Sequence, residues 1–338
     1  MASVVADIQQ QRPDLSVIIA TTAPRWLLEC YLTQDFIYRP QVFDIGVVQQ
    51  DSVTMDQPAT LTALQNIRAN QAVAVANEAD FLKQNHVGLV LADIPPLAAP
   101  IAKAAGVPCW MISNFGWDFI YRAWGGEFVA IADWIADCFG QCDRLFRLPF
   151  YEPMSAFPHR EDVGLTGGTP RWAVDTMRQR LQLDPVAGKT VLLTFGGLGL
   201  AQVPYGGLSR FSDWQFITFD PKAPNLPNLL KITDRQYRPV DIMPLCDRVV
   251  SKPGYGTFAE ACLQDVPIIS ITRDGFAEAT VLIDGIRRVA QHHIIEPQEL
   301  TNGRWDFLEA SLTPPKTQDL LPKTGNQSIA QAVVDALF

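Results

Sequence analysis

The stretch 251–263, SKPGYGTFAEACL, sets two glycines, Gly254 and Gly256, before a run that reads as a helix starting near Thr257, with an acid, Glu260, on its first turns. Glycines let a backbone come close to a ligand, and the unbonded amides of a helix start favour an anion, so phosphate suits this turn. Thr257 can act as the N-cap, and Tyr255 lies between the two glycines. Glu260, three residues past Thr257, fits a capping box; equally it fits a carboxylate that accepts two ribose hydroxyls, and spacing alone leaves both open. A second glycine-rich turn, LTFGGLG at 193–199, supplies Gly196 and Gly197. Alone it reads as a tight turn without a ligand; two such loops on one sheet edge strengthen the ligand reading. Neither loop matches GxxxxGKS/T or GxGxxG, which leaves ATPase and dinucleotide-dehydrogenase readings with little support.

A second set of candidates lies earlier in the chain. Asp93 ends the apolar run VGLVLAD and is followed by Ile-Pro-Pro, which places a carboxylate at a strand end on a stiff loop. It is the candidate general base; the competing role is a cap for the helix beginning near Leu97. Asn114, Trp117 and Asp118 follow the next strand and line the same edge. Trp117 and Tyr121 can stack on an acceptor ring, although aromatics at helical spacing also read as core. The four histidines, at 86, 159, 292 and 293, fall outside the loops expected at this edge.

These residues need a scaffold, and the periodicity supplies one. Short apolar runs at 16–21, 87–93 and 109–113 alternate with helical stretches such as 60–84 and 97–105, the pattern of parallel β-α-β units. A Pro- and Gly-rich segment without sustained period follows, and a second alternation has strands at 189–197, 214–220, 228–233, 247–252 and 266–272. The expected organisation is an α/β N-terminal half at 1–150, a linker at 151–172, an α/β C-terminal half at 173–325, and a final helix at 326–338 that packs back onto the first half. Two Rossmann-like parallel sheets then face a cleft.

Composition narrows the classes. At 338 residues and 48% apolar the chain can bury a sizeable core. A net charge of −9 with scattered Lys and Arg argues against nucleic acid as a partner. No apolar run reaches the roughly 18 residues of a membrane span, and the first residues lack the pattern of a signal peptide, so a soluble, cytoplasmic chain is expected. The six cysteines show no zinc spacing, and no DxD triplet ends a strand, so no metal and no cofactor is expected.

The segment 251–276, SKPGYGTFAEACLQDVPIISITRDGF, resembles the nucleotide-sugar site of GT-B glycosyltransferases related to the enzyme that adds N-acetylglucosamine to the lipid precursor of peptidoglycan. More closely, SNFGWDFIY (113–121), FRLPFYEPMSAFPHREDV (146–163) and LTFGG (193–197) resemble the glycosyltransferase-like N-terminal region of plant L-arabinokinases and their bacterial relatives. The resemblance covers nearly the whole chain. It implies a GT-B fold whose C-terminal half holds the donor, a UDP-sugar. Gly196, Gly197, Gly254, Gly256 and Thr257 would contact the diphosphate, Glu260 the ribose, and Arg273, Asp274 and Glu278 the sugar side. Inverting transfer of a hexosyl or pentosyl group to an unknown acceptor is the implied reaction; the alternative is a non-catalytic nucleotide-sugar-binding module, and an epimerase of the same architecture has less support.

The sequence departs from that family in three places. Relatives open with a strand and a glycine- and histidine-rich loop, whereas this chain opens on what reads as the following helix, ASVVADIQQQRPD. The first strand of the N-terminal half is therefore expected to be missing, through a start codon placed too late or a shortened chain. Where relatives carry Asn-Glu-Glu after an aromatic pair, this chain reads DGFAEAT at 274–280. The kinase half of L-arabinokinase has no counterpart, so kinase activity is not expected.

Overall fold

A computed structural model describes residues 1–49, 55–183, 187–196, 203–317 and 319–338. The N-terminal half comprises α1 (Ala2–Gln11), β1 (Ile18–Ala20), α2 (Arg25–Glu29), β2 (Ile37–Arg39), α3 (Gln57–Gln84), β3 (Val90–Ala92), α4 (Ala98–Ala105), β4 (Cys109–Ser113), α5 (Trp117–Trp124), α6 (Phe128–Phe139), β5 (Arg144–Arg147) and β6 (Arg160–Asp162). The C-terminal half comprises α7 (Val174–Arg180), β7 (Lys189–Thr194), β8 (Trp214–Thr218), β9 (Leu229–Lys231), α8 (Pro239–Ile242), β10 (Arg248–Ser251), α9 (Tyr255–Leu263), β11 (Ile268–Ile271), α10 (Ala277–Val289), β12 (His292–Ile295) and α11 (Pro297–Thr301). The last helix, α12 (Gly325–Leu337), lies against α1, with Ile329, Ala330 and Val333 packed on Val4 and Ile8.

In the C-terminal half six parallel strands run in the order β12-β11-β10-β7-β8-β9. The apolar runs of the sequence become strands buried on both faces: Leu192, Val249 and Ile268 join one core cluster, while Val191, Leu193, Val250 and Ile269 join the other. Burying each such side chain contributes about 1.5–3 kcal/mol, which makes this sheet the rigid platform for whatever its edge carries.

The N-terminal half is built differently. Its parallel strands fall into two separate sheets, β1-β2 and β3-β4-β5-β6. The same helices cover both sheets. On one side, α1 sets Val4 and Ile8 against Leu89, Leu91 and Ile112 and sets Val5 and Ala6 against Val17 and Ile19. On the other, Glu78 of α3 pairs with Arg39 of β2 while Leu82 packs with Val90 of β3. The β6 strand falls inside the segment expected to be a linker. Its sequence, Arg-Glu-Asp, is polar and exposed, so it carries no strand signal, and it is held by its ladder to β5.

The halves meet through a few directed contacts. Asn114 Nδ2 donates to Glu278 Oε1 at 3.0 Å, and Trp124 Nε1 donates to the Gly275 carbonyl at 2.7 Å. Phe150 fills the notch left by Gly285, where a Cβ would fall 2.2 Å from the ring. The chain crosses between halves twice, and the crossings lie side by side: Leu165 N donates to the Pro322 carbonyl at 2.8 Å and Gly325 N to the Leu165 carbonyl at 3.1 Å.

Candidate functional site

Strand β10 ends at Ser251, and α9 starts four residues later, so the turn Lys252-Pro253-Gly254 stands at the carboxyl edge of the parallel sheet, where open α/β folds bind ligands. The helix begins at Tyr255 with Gly254 as its cap, two residues earlier than the sequence suggests. The first amides of α9 have no carbonyl a turn behind them, and the space beside Gly254 and Gly256 is open within 4 Å of where a Cβ would stand. Thr257 is half-buried in the first turn. Burial pushes the Lys252 ammonium down to about 8, helped by the Arg273 charge and opposed by Glu278. A cation held in a partly desolvated turn beside a helix start favours an anion there. The neighbouring turn after β7 presents Gly196 exposed at φ +80°; Gly197 lies outside the described residues.

Glu260 does not form a capping box, because the cap is Gly254 rather than Thr257. Its Oε1 instead accepts the Gly168 N–H at 3.0 Å, and the glycines at 167 and 168 allow that approach, since a Cβ at Gly167 would lie 2.9 Å from Glu260 Cγ. Burial raises this carboxyl to about 7, against the Gly168 hydrogen bond and the Arg238 charge. Tyr255 faces the same crossing segment: its hydroxyl accepts from Thr166 N at 3.3 Å, so the side chain anchors the interdomain segment while its backbone begins the helix. The same segment is held further along by Asp241, which pairs with Arg171 and Arg238, each at 2.8 Å.

Beyond β11 the chain turns through Arg273, Asp274 and Gly275. The Arg273 guanidinium lies 4.4 Å from the Phe276 ring centroid, Asp274 is exposed, and Glu278 is buried in the first turn of α10. Burial raises the Glu278 carboxyl to about 7, with the Asn114 hydrogen bond and the Arg273 and Lys252 charges acting against it. Lys252, Arg273 and Glu278 thus form one charged group where the halves meet.

On the N-terminal side, Asp93 follows β3 on a loop in which Ile94 takes φ +48°. Its side chain is exposed, and partial desolvation by the surrounding protein raises its carboxyl above the usual range, opposed by the Met1 ammonium. It does not cap α4, whose N-cap is Leu97 and has no side-chain hydrogen bond. Asn114 is buried and gives its amide to Glu278 and to the Phe150 carbonyl. Trp117 and Tyr121 stack on one another, with centroids 5.7 Å apart, and the Tyr121 hydroxyl bonds the Gly46 carbonyl; their packing is with the 43–47 loop and the core. Asp118 is half-buried near Glu152, and burial raises its carboxyl.

Two participants escaped the sequence reading. Lys252 was visible in the quoted SKPGYGT motif but was passed over for its glycines. Asp44 had no signal, since 40–49 has no period; in the fold it accepts the Trp117 indole N–H and is raised to about 6, first by burial and then by the Asp93 charge. Among the described residues no group of three or more His, Cys, Asp and Glu is placed to hold a metal, and no helix is long and apolar enough to cross a membrane.

No family model matches the chain. L-arabinokinase of Arabidopsis thaliana is 31% identical to it over 287 residues, which are 81% of this chain and 27% of that protein. The chain spans about a quarter of the length of this relative. Among solved structures, the calicheamicin glycosyltransferase CalG4 superposes with a TM-score of 0.60 at 14% identity, covering 99% of this chain and 91% of CalG4. UGT89C1 of Arabidopsis thaliana, solved with UDP, gives a TM-score of 0.56 at 14% identity, covering 99% of this chain and 90% of that one. With two parallel α/β halves meeting at the described group of residues, the chain has the GT-B fold of these glycosyltransferases, and it is related in sequence to part of L-arabinokinase.

Proposed function

We propose that the chain binds a nucleotide-sugar, with UDP as the nucleotide, at the α9 edge of the C-terminal half and transfers the sugar to an acceptor held against the N-terminal half. The observation that carries this reading is the open helix start at Gly254–Thr257 with Lys252 beneath it, on a sheet edge of a fold whose solved neighbour UGT89C1 carries UDP. In the proposal the α9 amides, Gly196 and Lys252 take the diphosphate, and Glu260 takes the ribose hydroxyls in place of the Gly168 N–H. Arg273, Asp274 and Glu278 face the sugar. Inverting transfer needs a base at the acceptor hydroxyl, and Asp93, unbound to α4 and beside Asp44, is the group offered. Asp44, raised in part by the Asp93 charge, is the neighbouring acid that would tune it.

Calorimetric titration with UDP, against GDP, ADP and TDP, tests the site without knowledge of the acceptor. Micromolar, UDP-selective binding is expected, and Glu260→Ala is expected to weaken it by about 1–3 kcal/mol, the range for hydrogen bonds to a charged group. Absence of binding to all four nucleotides overturns the reading; UDP binding that Glu260→Ala leaves unchanged removes Glu260 from the ribose. Sugar release from UDP-sugars by the chain then separates transfer from binding alone.

A further inference from the structure

The motif FRLPFYEPMSAFPHREDV (146–163) ends in β6, the outer strand of the four-stranded sheet. Its ladder to β5 fixes which backbone groups stay free. Leu145 N donates to the His159 carbonyl at 2.8 Å and Val163 N to the Arg147 carbonyl at 3.1 Å, in a register that sets Leu145 beside Arg160 and Arg147 beside Asp162. Alternate residues of a strand bond to opposite neighbours, so His159, Glu161 and Val163 serve β5, while the amides and carbonyls of Arg160 and Asp162 point outward. Among the described residues these outward groups have no partner. The edge is also open: a groove of about 650 Å³ beside it is lined by Trp110, Arg144, His159, Glu161 and other strand and loop residues, none of them from a helix.

A short charged edge ordinarily keeps foreign strands away. Here the order of the charges admits one partner. An antiparallel second copy must set outward-facing residues opposite one another, which leaves registers centred on residue 160, 161 or 162. Centring on Arg160 opposes it to itself and sets Asp162 against Pro158, which has no N–H; centring on Asp162 opposes two carboxylates. Centring on Glu161 sets Arg160 of each copy against Asp162 of the other and bonds every outward N–H to an outward carbonyl. The side chains suit that register. Arg160 gives Nη1 to the Met154 and Phe157 carbonyls and makes no ion pair in its own chain among the described residues, and Asp162, held on one side by Arg147, is still 53% exposed. The two Glu161 side chains at the centre are each matched from within, since Arg144 Nε donates to Glu161 Oε2 at 3.0 Å. We infer that two copies of this chain join through β6, antiparallel about a two-fold axis at Glu161, into one continuous sheet.

Sedimentation velocity from micromolar to near-millimolar chain, with hydrogen exchange read at the same concentrations, tests this. A monomer–dimer equilibrium is expected, and exchange at the Arg160 and Asp162 amides should slow by roughly tenfold or more as the dimer fills. The amides of β9, the outer strand of the C-terminal sheet, should not change. Arg160→Asp and Asp162→Arg each oppose like charges and are expected to weaken the dimer by about tenfold or more, whereas an equal mixture of the two variants should restore it, because each then faces its opposite. Rescue in the mixture separates a lost contact from a lost fold. A chain that stays monomeric throughout overturns the inference, as does a dimer that leaves exchange at 160 and 162 unchanged. A mixture that stays monomeric, although each variant keeps the parent Tm, overturns it too.

Discussion

The two halves use the same parallel α/β grammar, yet β10 and β11 are buried from end to end whereas β1 runs from half-buried to exposed and β2 leaves Ile37 53% in solvent. The difference is one of continuity. In the C-terminal half every inner strand has two neighbours and two covering layers, so the α9 turn sits on a platform that cannot give way locally. In the N-terminal half the layers are complete but the ladder is not, and the loops that carry Asp44 and Asp93 stand on the less supported side. The α9 edge can therefore be rigid while the edge that carries Asp44 and Asp93 remains the softer part of the same molecule.

The most direct way to break this comparison is to remove matched side chains. Leu192→Ala in β7 is expected to cost about 2–5 kcal/mol in chemical denaturation, and Ile19→Ala in β1 about 1 kcal/mol. Equal costs would mean that β1 is as well supported as β7. A smaller effect is expected at the seam: Gly285→Ala drives a Cβ into Phe150 and should cost about 1–3 kcal/mol, recovered in part when Phe150→Ala is added to the same chain. Additive losses would show that the halves are not seated through this notch. A further effect is a slope with pH. Glu260 and Glu278, raised to about 7 from an ordinary 4.5, bind protons more tightly folded than unfolded, so stability should fall as pH rises from about 4.5 to 7. Glu260→Gln with Glu278→Gln should flatten that fall in Tm, and a fall of unchanged steepness would locate the titrating groups elsewhere.

Legibility in the sequence follows the same division. The C-terminal strands were readable because burial on both faces writes continuous apolar runs such as VLLT and IISI. By contrast β2, β6 and β12 contain Arg, Asp or His and are specified by their neighbours rather than by their own residues. At the site, the glycines of 254 and 256 announced a close approach, but the partner of Glu260 could not be read, because Gly168 is ninety-two positions away and only the folded chain brings them together. The same holds for Asp44, whose meaning comes wholly from Trp117 and Asp93. For Trp117 and Tyr121, residue type left ligand platform and core both open, and in the fold the two rings stack on each other.

The paired crossings at Leu165 and Pro322–Gly325 have a mechanical consequence. Two straps fastened at one spot act as a single hinge pin, whereas straps at opposite ends would lock the halves together. Relative motion is thereby reduced to a swing about that line, and its far side is the seam where Asn114 meets Glu278 and Trp124 meets Gly275. With both fasteners placed together, the mouth can gape without unwinding a strand once those two hydrogen bonds and the apolar contacts beside them, Phe115 on Phe276 and Phe150 in the Gly285 notch, give way.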